Sequence, residues 1–537
     1  MSDYVLTAVD TAQIQRYVFG SNRLKENIGG SELVELATHQ WVYAALPPQN
    51  NVADAATGEL DDRLTIHSLE AEVLYAGGGN TVILFSTLEL AREFTGRLTR
   101  RVLKEAPGLE LVVAHRCFDW ERDALAEVVG QTLGGDLARK KQNRNASMPL
   151  LGLGVTRPCS STRMVASQIV EGRPVSQEIY TKVDGRLQGQ ARLEAVTSRV
   201  KQGKWRIPPD FDDLGRFKGD EGDIAVVHAD GNGMGKRVEA IAARHRTPGQ
   251  NRDYIDAIRN FSRRLGAAAT TALRKVVDLM ADALLADADL ADRHRRNFPL
   301  RPIVFGGDDV TFVCHGRYGL SLAVCYLEAF EEATQTDPAF DHKPAHACAG
   351  VAVVKAHYPF ARAYRLSEQL CRSAKQMLAQ QNIEGSALDW HVATSGITGS
   401  LSEIRAREYT VQSGCLHMRP VLLRGSASVS WRTWPVFKAI LDAFVDEQGA
   451  WSGRRNKVKA LREALRGGKD AVVDFLHTFQ LEALPKADPA NVVGGYEKTG
   501  WVGDCCVYFD AIEMIDLFAD LPQIAAIGDV EAEHAAL

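Results

Sequence analysis

Asp308 and Asp309 stand side by side behind Gly306 and Gly307 in "VFGGDDVTF", with apolar runs before and after them. Adjacent carboxylates between stretches that read as buried strands are costly unless their charge is compensated. A third, Asp230, closes another apolar run in "DIAVVHADGNGMGK". A hairpin turning at 308–309 beside a strand ending at 230 would gather these carboxylates. Two such charges about 4 Å apart repel by about 4 kcal/mol at an effective dielectric near 20. Divalent cations relieve that repulsion, and oxygen-only ligation favours Mg²⁺ or Mn²⁺ over zinc. Mg²⁺ commonly combines one or two carboxylates with substrate phosphates, so the cluster points to metal-dependent phosphate chemistry. Asp230, Asp308 and Asp309 are therefore the candidate metal ligands and catalytic residues.

The glycines fit the same chemistry. Gly306 and Gly307 permit unusual backbone angles and put no side chain between backbone and ligand. Gly231, Asn232, Gly233, Met234, Gly235 and Lys236 form a turn into a helix, whose free N–H groups suit a phosphate. The stretch is neither a Walker A loop nor a complete dinucleotide fingerprint. No catalytic histidine or cysteine is required, and His228 reads as a strand residue.

The elements that must position these residues recur earlier in the chain. "DYVLTAVDTAQIQRYVFGSN" matches "GDIAVVHADGNGMGKRVEAI", which pairs Asp10 with Asp230. "VLYAGGGNTVILF" matches "PIVFGGDDVTFVC", which sets Gly77, Gly78, Gly79 and Asn80 on Gly306 to Asp309. Each copy continues into a helix with one apolar face, Leu90, Phe94 and Leu98 or Leu320, Val324 and Leu327, and then a strand. This order predicts an α+β fold: two tandem ferredoxin-like palms, each an antiparallel sheet with helices on one face. The expected division is a first palm over 1–145, a connector over 146–215, a second palm over 216–395 and a mainly helical region over 396–537. A long helix is expected at 253–283 and loops at 46–63 and 288–302. The chain ends in an acidic stretch with Asp529, Glu531 and Glu533.

The 537 residues are 45% apolar and 24% charged, which is ordinary globular composition. A net charge of −5 excludes a general cationic field for nucleic acid, so any RNA contact would be local. The basic segment 454–469 reads first as a solvated helix face. Nine cysteines without a C-x-x-C pair indicate neither a disulfide framework nor a zinc ribbon, and no zinc is expected. No run of about 18 apolar residues occurs, so the chain reads as a soluble, cytoplasmic protein without a membrane role.

"IQRYVFGSNRLKENIGGS" with "YAGGGN", and "VVHADGNGMGK" with "VFGGDD", resemble the large polymerase/cyclase subunit of type III CRISPR effector complexes, over roughly residues 1–395. The resemblance implies two facing palms that each hold one ATP, the second joining nucleotides into cyclic oligoadenylates for antiviral defence. It implies that Asp230, Asp308 and Asp309 hold the metals, that Gly231 to Gly235 and Gly306–Gly307 line the phosphates, and that Lys375 lies near the triphosphate. In the first palm, Gly77, Gly78, Gly79 and Asn80 lack the acidic pair, which implies a nucleotide bound without catalysis, with Asp10, Asn22, Arg23 and Ser31 as further candidates there. Nucleoside triphosphates are the implied partners, with RNA or a CRISPR-type complex beside them. The chain departs from larger family members in having no His-Asp dipeptide and no paired cysteines between the palms. Two alternatives stay open: a scaffold that binds nucleotide or RNA without turnover, and a two-base cyclic dinucleotide synthase.

Overall fold

The computed structural model describes residues 3–77, 79–143, 152–184, 191–215, 222–294, 297–393, 399–426, 429–446, 451, 455–487 and 495–521. Gly78 and the acidic C-terminal stretch lie outside the described residues.

Strand β1 (Asp3–Ala12) leads into α1 (Ile14–Phe19) and α2 (Leu24–Thr38). Strands β2 (Ala71–Gly77) and β3 (Asn80–Phe85) form a hairpin, followed by α3 (Leu88–Glu105) and β4 (Glu110–Asp119). They assemble as a four-stranded antiparallel sheet in the order β2-β3-β1-β4. The second sheet repeats the plan with β5 (Asp223–Asn232), α4 (Met234–Arg244), α5 (Asn251–Ala286), β6 (Leu300–Val304), β7 (Val310–His315), α6 (Gly319–Gln335) and β8 (His346–Lys355). After α7 (Phe360–Gln381), β9 (Ala387–Val392) joins parallel to β8, and Val421–Leu422 completes the order β6-β7-β5-β8-β9 at the far edge. The fold is thus α+β with two tandem palms and a further, mainly helical region beyond them.

One expectation fails in the second palm. Its helices cover both faces of the sheet rather than one. Ile224 to Val227 are apolar without a break, so alternation puts apolar side chains on both sides of β5 and each side must be covered. Ala225, Val227 and Ala229 pack with α5 and α6, whereas Ile224 and Val226 pack with Phe360, Tyr364 and Leu370 of α7. The approach of α7 is close: a Cβ on Gly350 of β8 would stand 2.0 Å from the Ser367 carbonyl oxygen and 2.4 Å from the Cys371 nitrogen.

The expected long helix runs slightly further at both ends, and it joins the palms. Arg259, only 2% exposed, donates to the Leu74 and Val73 carbonyls and to Glu72 and Asp62. On the opposite side, Phe19 of α1 stacks on Tyr364 of α7, ring centroids 3.7 Å apart. The expected loops carry some order: Val52–Asp54 pairs with Glu59–Leu60, and Ala288–Arg293 is helical. The basic segment forms the helix Arg455–Gly467, with the Arg462 and Arg466 guanidiniums over the Phe509 ring at 5.4 and 5.1 Å. These two stems pack inward rather than lining a free basic stripe.

Gly350→Ala should force α7 off the sheet and lower stability by about 2 kcal/mol, read as a fall in the urea midpoint. Gly130→Ala, on a helix with nothing within 4 Å of the added methyl, should leave it unchanged or raise it by up to about 1 kcal/mol.

Candidate functional site

Asp230 is near the end of β5, paired with Cys348 of β8 and pointing to the face that α7 covers. Period-two alternation puts His228 on the same face. The Asp308–Asp309 turn is tied to this strand end by the Gly231 N–H, which donates to the Asp308 carbonyl at 3.2 Å. Space there is tight: a Cβ on Gly231 would stand 3.0 Å from Asp308 Cβ and 3.1 Å from its Oδ2. A Cβ on Gly231 would crowd these side-chain atoms, whereas Gly306 and Gly233 adopt positive φ, 125° and 73°. Gly233 caps α4, whose first turn holds buried Met234 and exposed Gly235 and Lys236; Asn232, half-buried, ends β5. Gly307 is within the turn.

Burial, and then the charges of Asp230 and Asp309, push the Asp308 carboxyl up to about 6. Lys375 of α7 answers part of this charge: its ammonium donates to Asp230 Oδ2 at 2.6 Å and to the Gly231 carbonyl at 2.8 Å. Burial opposes the charged ammonium, yet Asp230 holds its pKa above the ordinary lysine value. His228 Nδ1 is 3.2 Å from Asp309 Oδ1 and 3.3 Å from Thr311 Oγ1. The contact with Asp309 is close without hydrogen-bond alignment, for Asp309 Oδ1 is buried with no hydrogen-bond partner. Burial works against an imidazolium at His228, but Asp309 lifts its pKa overall.

The first palm repeats two features of this backbone, the hydrogen bond at the strand end and the left-handed residue before the helix. Thr11, the counterpart of Gly231, donates its N–H to the Gly79 carbonyl at 3.3 Å and its hydroxyl to the same oxygen at 3.1 Å. Gln13, the counterpart of Gly233, takes the left-handed conformation, φ 54°, before α1. Asp10 pairs across the sheet with Asn80 and is bonded by Lys141. Asn80 Oδ1, like Asp309 Oδ1, is buried without a partner. Gly77, at the end of β2, would bring a Cβ to 3.4 Å from Ser262 Oγ of α5, and one on Gly266, a turn further along α5, would meet the Gly306 carbonyl oxygen at 3.5 Å. Both motif hairpins thus lie along one helix, about a turn apart.

The remaining candidates are more scattered. Asn22 is exposed at the seam between palms, where its Oδ1 accepts the Ala361 N–H at 3.4 Å. Arg23 is exposed at the start of α2, and Ser31 is buried within that helix, 6% exposed. Sequence reading missed Lys141 and the contact of His228 with Asp309. His228 had a signal, two residues before Asp230 on one strand. Lys141 is matched to Lys375 only by its place on a helix that comes after β4, as α7 comes after β8.

Among the described residues, no group of three or more His, Cys, Asp and Glu side chains is arranged to hold a metal ion. The donor set nevertheless fits a hard cation: oxygen ligands only, a buried Asp309 carboxylate oxygen without a hydrogen-bond partner, and an Asp308 carboxyl raised by burial and then by neighbouring negative charge. No described helix is long and apolar enough to cross a membrane.

Residues 223–383 match the model of the family described as Cas10/Cmr2, second palm domain. No curated protein matches the sequence. Among solved structures, a chain of a Csm1–Csm4 cassette in complex with AMPPNP is similar at 14% identity and a TM-score of 0.51, over 96% of this chain and 69% of that one. A cassette in complex with cA4 gives 12%, 0.50, 96% and 70%, and one with pppApApA gives 12%, 0.51, 96% and 69%. At these identities the likeness shows the fold.

The raised Asp308 carboxyl has a consequence for stability. The fold favours its neutral form over the unfolded chain, whose carboxyl titrates near 3.8. The stabilisation is complete below pH 4 and is lost as pH rises through 6. In EDTA at pH 8, Asp308→Asn should therefore stabilise the protein by up to about 3 kcal/mol, with the gain vanishing near pH 4. Urea titrations of both proteins across that range measure it, and a pH-independent difference would contradict the assignment.

Proposed function

We propose that this chain, whose residues 223–383 match the model for the Cas10/Cmr2 second palm domain, is a metal-dependent nucleotidyltransferase that joins ATP into cyclic oligoadenylates, second messengers of CRISPR-type antiviral defence. The observation that carries the reading is the junction of Asp230, Asp308 and Asp309 at one strand end, with the backbone-equivalent Asp10–Asn80 junction on the same helix. Two palms of one backbone plan, one acidic and one not, suit a donor nucleotide in the second and an acceptor in the first.

Mg²⁺ or Mn²⁺ held by Asp230, Asp308 and Asp309 would neutralise charge on the reacting phosphate and the departing pyrophosphate. The chain's own groups do the positioning. The first-turn N–H groups of α4, after Gly233, offer donors to a triphosphate, and Lys236 adds an exposed cation nearby. Lys375 holds Asp230 aligned, and its ammonium is within reach of phosphate oxygens placed against Gly231. Gly306 and Gly307 let a nucleotide approach the backbone. In the first palm, Asp10, Asn80 and Lys141 offer polar groups to the acceptor nucleotide, with Gly77 and Gly79 beside them. The solved cassettes in complex with AMPPNP, cA4 and pppApApA support this reading, and they support a partner subunit of the Csm4 type.

A binding-only scaffold has one observation in its favour, the Lys375 ammonium placed on Asp230, where it supplies positive charge without a metal. Turnover separates the two. The full chain incubated with ATP and Mn²⁺ should release pyrophosphate and yield cyclic oligoadenylates by chromatography and mass spectrometry. Asp308→Ala should lower the rate about 10²- to 10³-fold while retaining ATP binding. ATP binding without pyrophosphate release from the unaltered chain would favour the scaffold, and cyclic dinucleotides from another NTP would favour the two-base synthase.

A further inference from the structure

The loop that presents Asp308 and Asp309 is not held by its own ladder. Pairing between β6 and β7 ends at Val304 and Thr311, after a register shift, so residues 305–309 span a gap. One tether is the Gly231 N–H to the Asp308 carbonyl. A second comes from far away in sequence. Arg192, on the short helix Ala191–Val196 between the palms, donates from Nη1 to the Phe305 carbonyl at 2.7 Å. Its guanidinium also lies over the Phe305 ring, 4.7 Å from the centroid, and Nη1 is 3.5 Å from where a Cβ on Gly306 would stand.

The other side of the same guanidinium faces the first palm. Nη2 donates to Glu32 Oε2 at 3.2 Å, and Nη1 is 3.3 Å from Glu35 Oε2, both carboxylates being on α2. One planar fork therefore binds the root of the motif hairpin, the connector and a helix of the opposite palm. The rigid, multi-donor geometry of arginine permits this, and a lysine would satisfy at most part of it. Phe305 is 6% exposed, so the carbonyl that Arg192 satisfies belongs to a buried residue with no ladder partner across β7.

We propose that Arg192 is a positioning residue for the Gly306–Asp309 hairpin, setting where Asp308 and Asp309 stand relative to Asp230 and tying that placement to the first palm through Glu32 and Glu35. The proposal rests on the reading of Asp308 and Asp309 as the reacting centre. Arg192 touches neither reacting atoms nor carboxylates of the motif. Its loss lets the hairpin drift, and a misplacement on the order of 1 Å at a reacting group costs roughly 10²-fold.

The test uses the full chain with 4-fluorophenylalanine placed at position 305 and read by fluorine NMR without nucleotide, beside steady-state kinetics with ATP. Arg192→Ala should move the fluorine resonance toward that of the free amino acid and narrow it. It should also lower kcat about 10- to 100-fold with the KM for ATP within about twofold. Arg192→Lys and Glu32→Gln should fall between, and Arg192→Lys keeps the test open if the alanine variant does not fold. Arg199→Ala, which removes a connector arginine paired with Asp278 and Asp282, should leave both readouts unchanged. An unmoved resonance in a folded Arg192→Ala protein overturns the proposal, as does an equal loss of kcat in Arg199→Ala. If the unaltered chain makes no product but the resonance still shifts, the positioning role stands and nucleotidyl transfer falls.

Discussion

The structure depends on an electrostatic excess that the fold creates and only partly cancels. Asp230, Asp308 and Asp309 meet at one strand end, with Asp308 largely buried, Lys375 bonded to Asp230 and His228 close against Asp309. Each unit of uncompensated charge raises the cost of folding, so such a cluster persists only because the surrounding packing over-determines it. A hard cation at these oxygens would relieve the same excess.

Over-determination is visible in the packing. α7 approaches β8 so closely that Gly350 admits no methyl group, which fixes the helix and with it Lys375. Glycine here buys proximity of backbones, whereas at Gly306 and Gly233 it supplies a conformation. On the other side of the sheet, α5 carries Arg259 into the first palm and places Ser262 and Gly266 against the two hairpins. A rigid rod spanning both motifs means that neither palm can shift without disturbing the other.

The paired palms carry different side chains on related backbone features. Thr11 and Gly231 donate to equivalent carbonyls, Gln13 and Gly233 take equivalent left-handed turns, and Lys141 and Lys375 bond equivalent aspartates. Where the second palm has Asp308–Asp309, the first has Gly79–Asn80, two negative charges fewer, with the strand-end hydrogen bond kept. A glutamine tolerates the strained turn at position 13, where the second palm has glycine and open space at Gly233.

Local pattern carried much of this in one dimension. Gly-Gly-Asp-Asp between apolar runs, the earlier Asp230 and the duplicated order of elements followed from period-two and 3.6-residue alternation and from turn chemistry, because these act over a few neighbours. The helices on both faces of the second sheet were also written in the unbroken apolar run Ile224 to Val227, though only the packed sheet made its meaning plain. What tertiary structure alone decided are contacts between residues with no shared period: Lys141 on Asp10, Arg192 on the Phe305 carbonyl, His228 against Asp309, and two hairpins a turn apart on α5. Such meetings depend on how separate elements stack, and no local periodicity encodes which side chain of one element will face which backbone group of another.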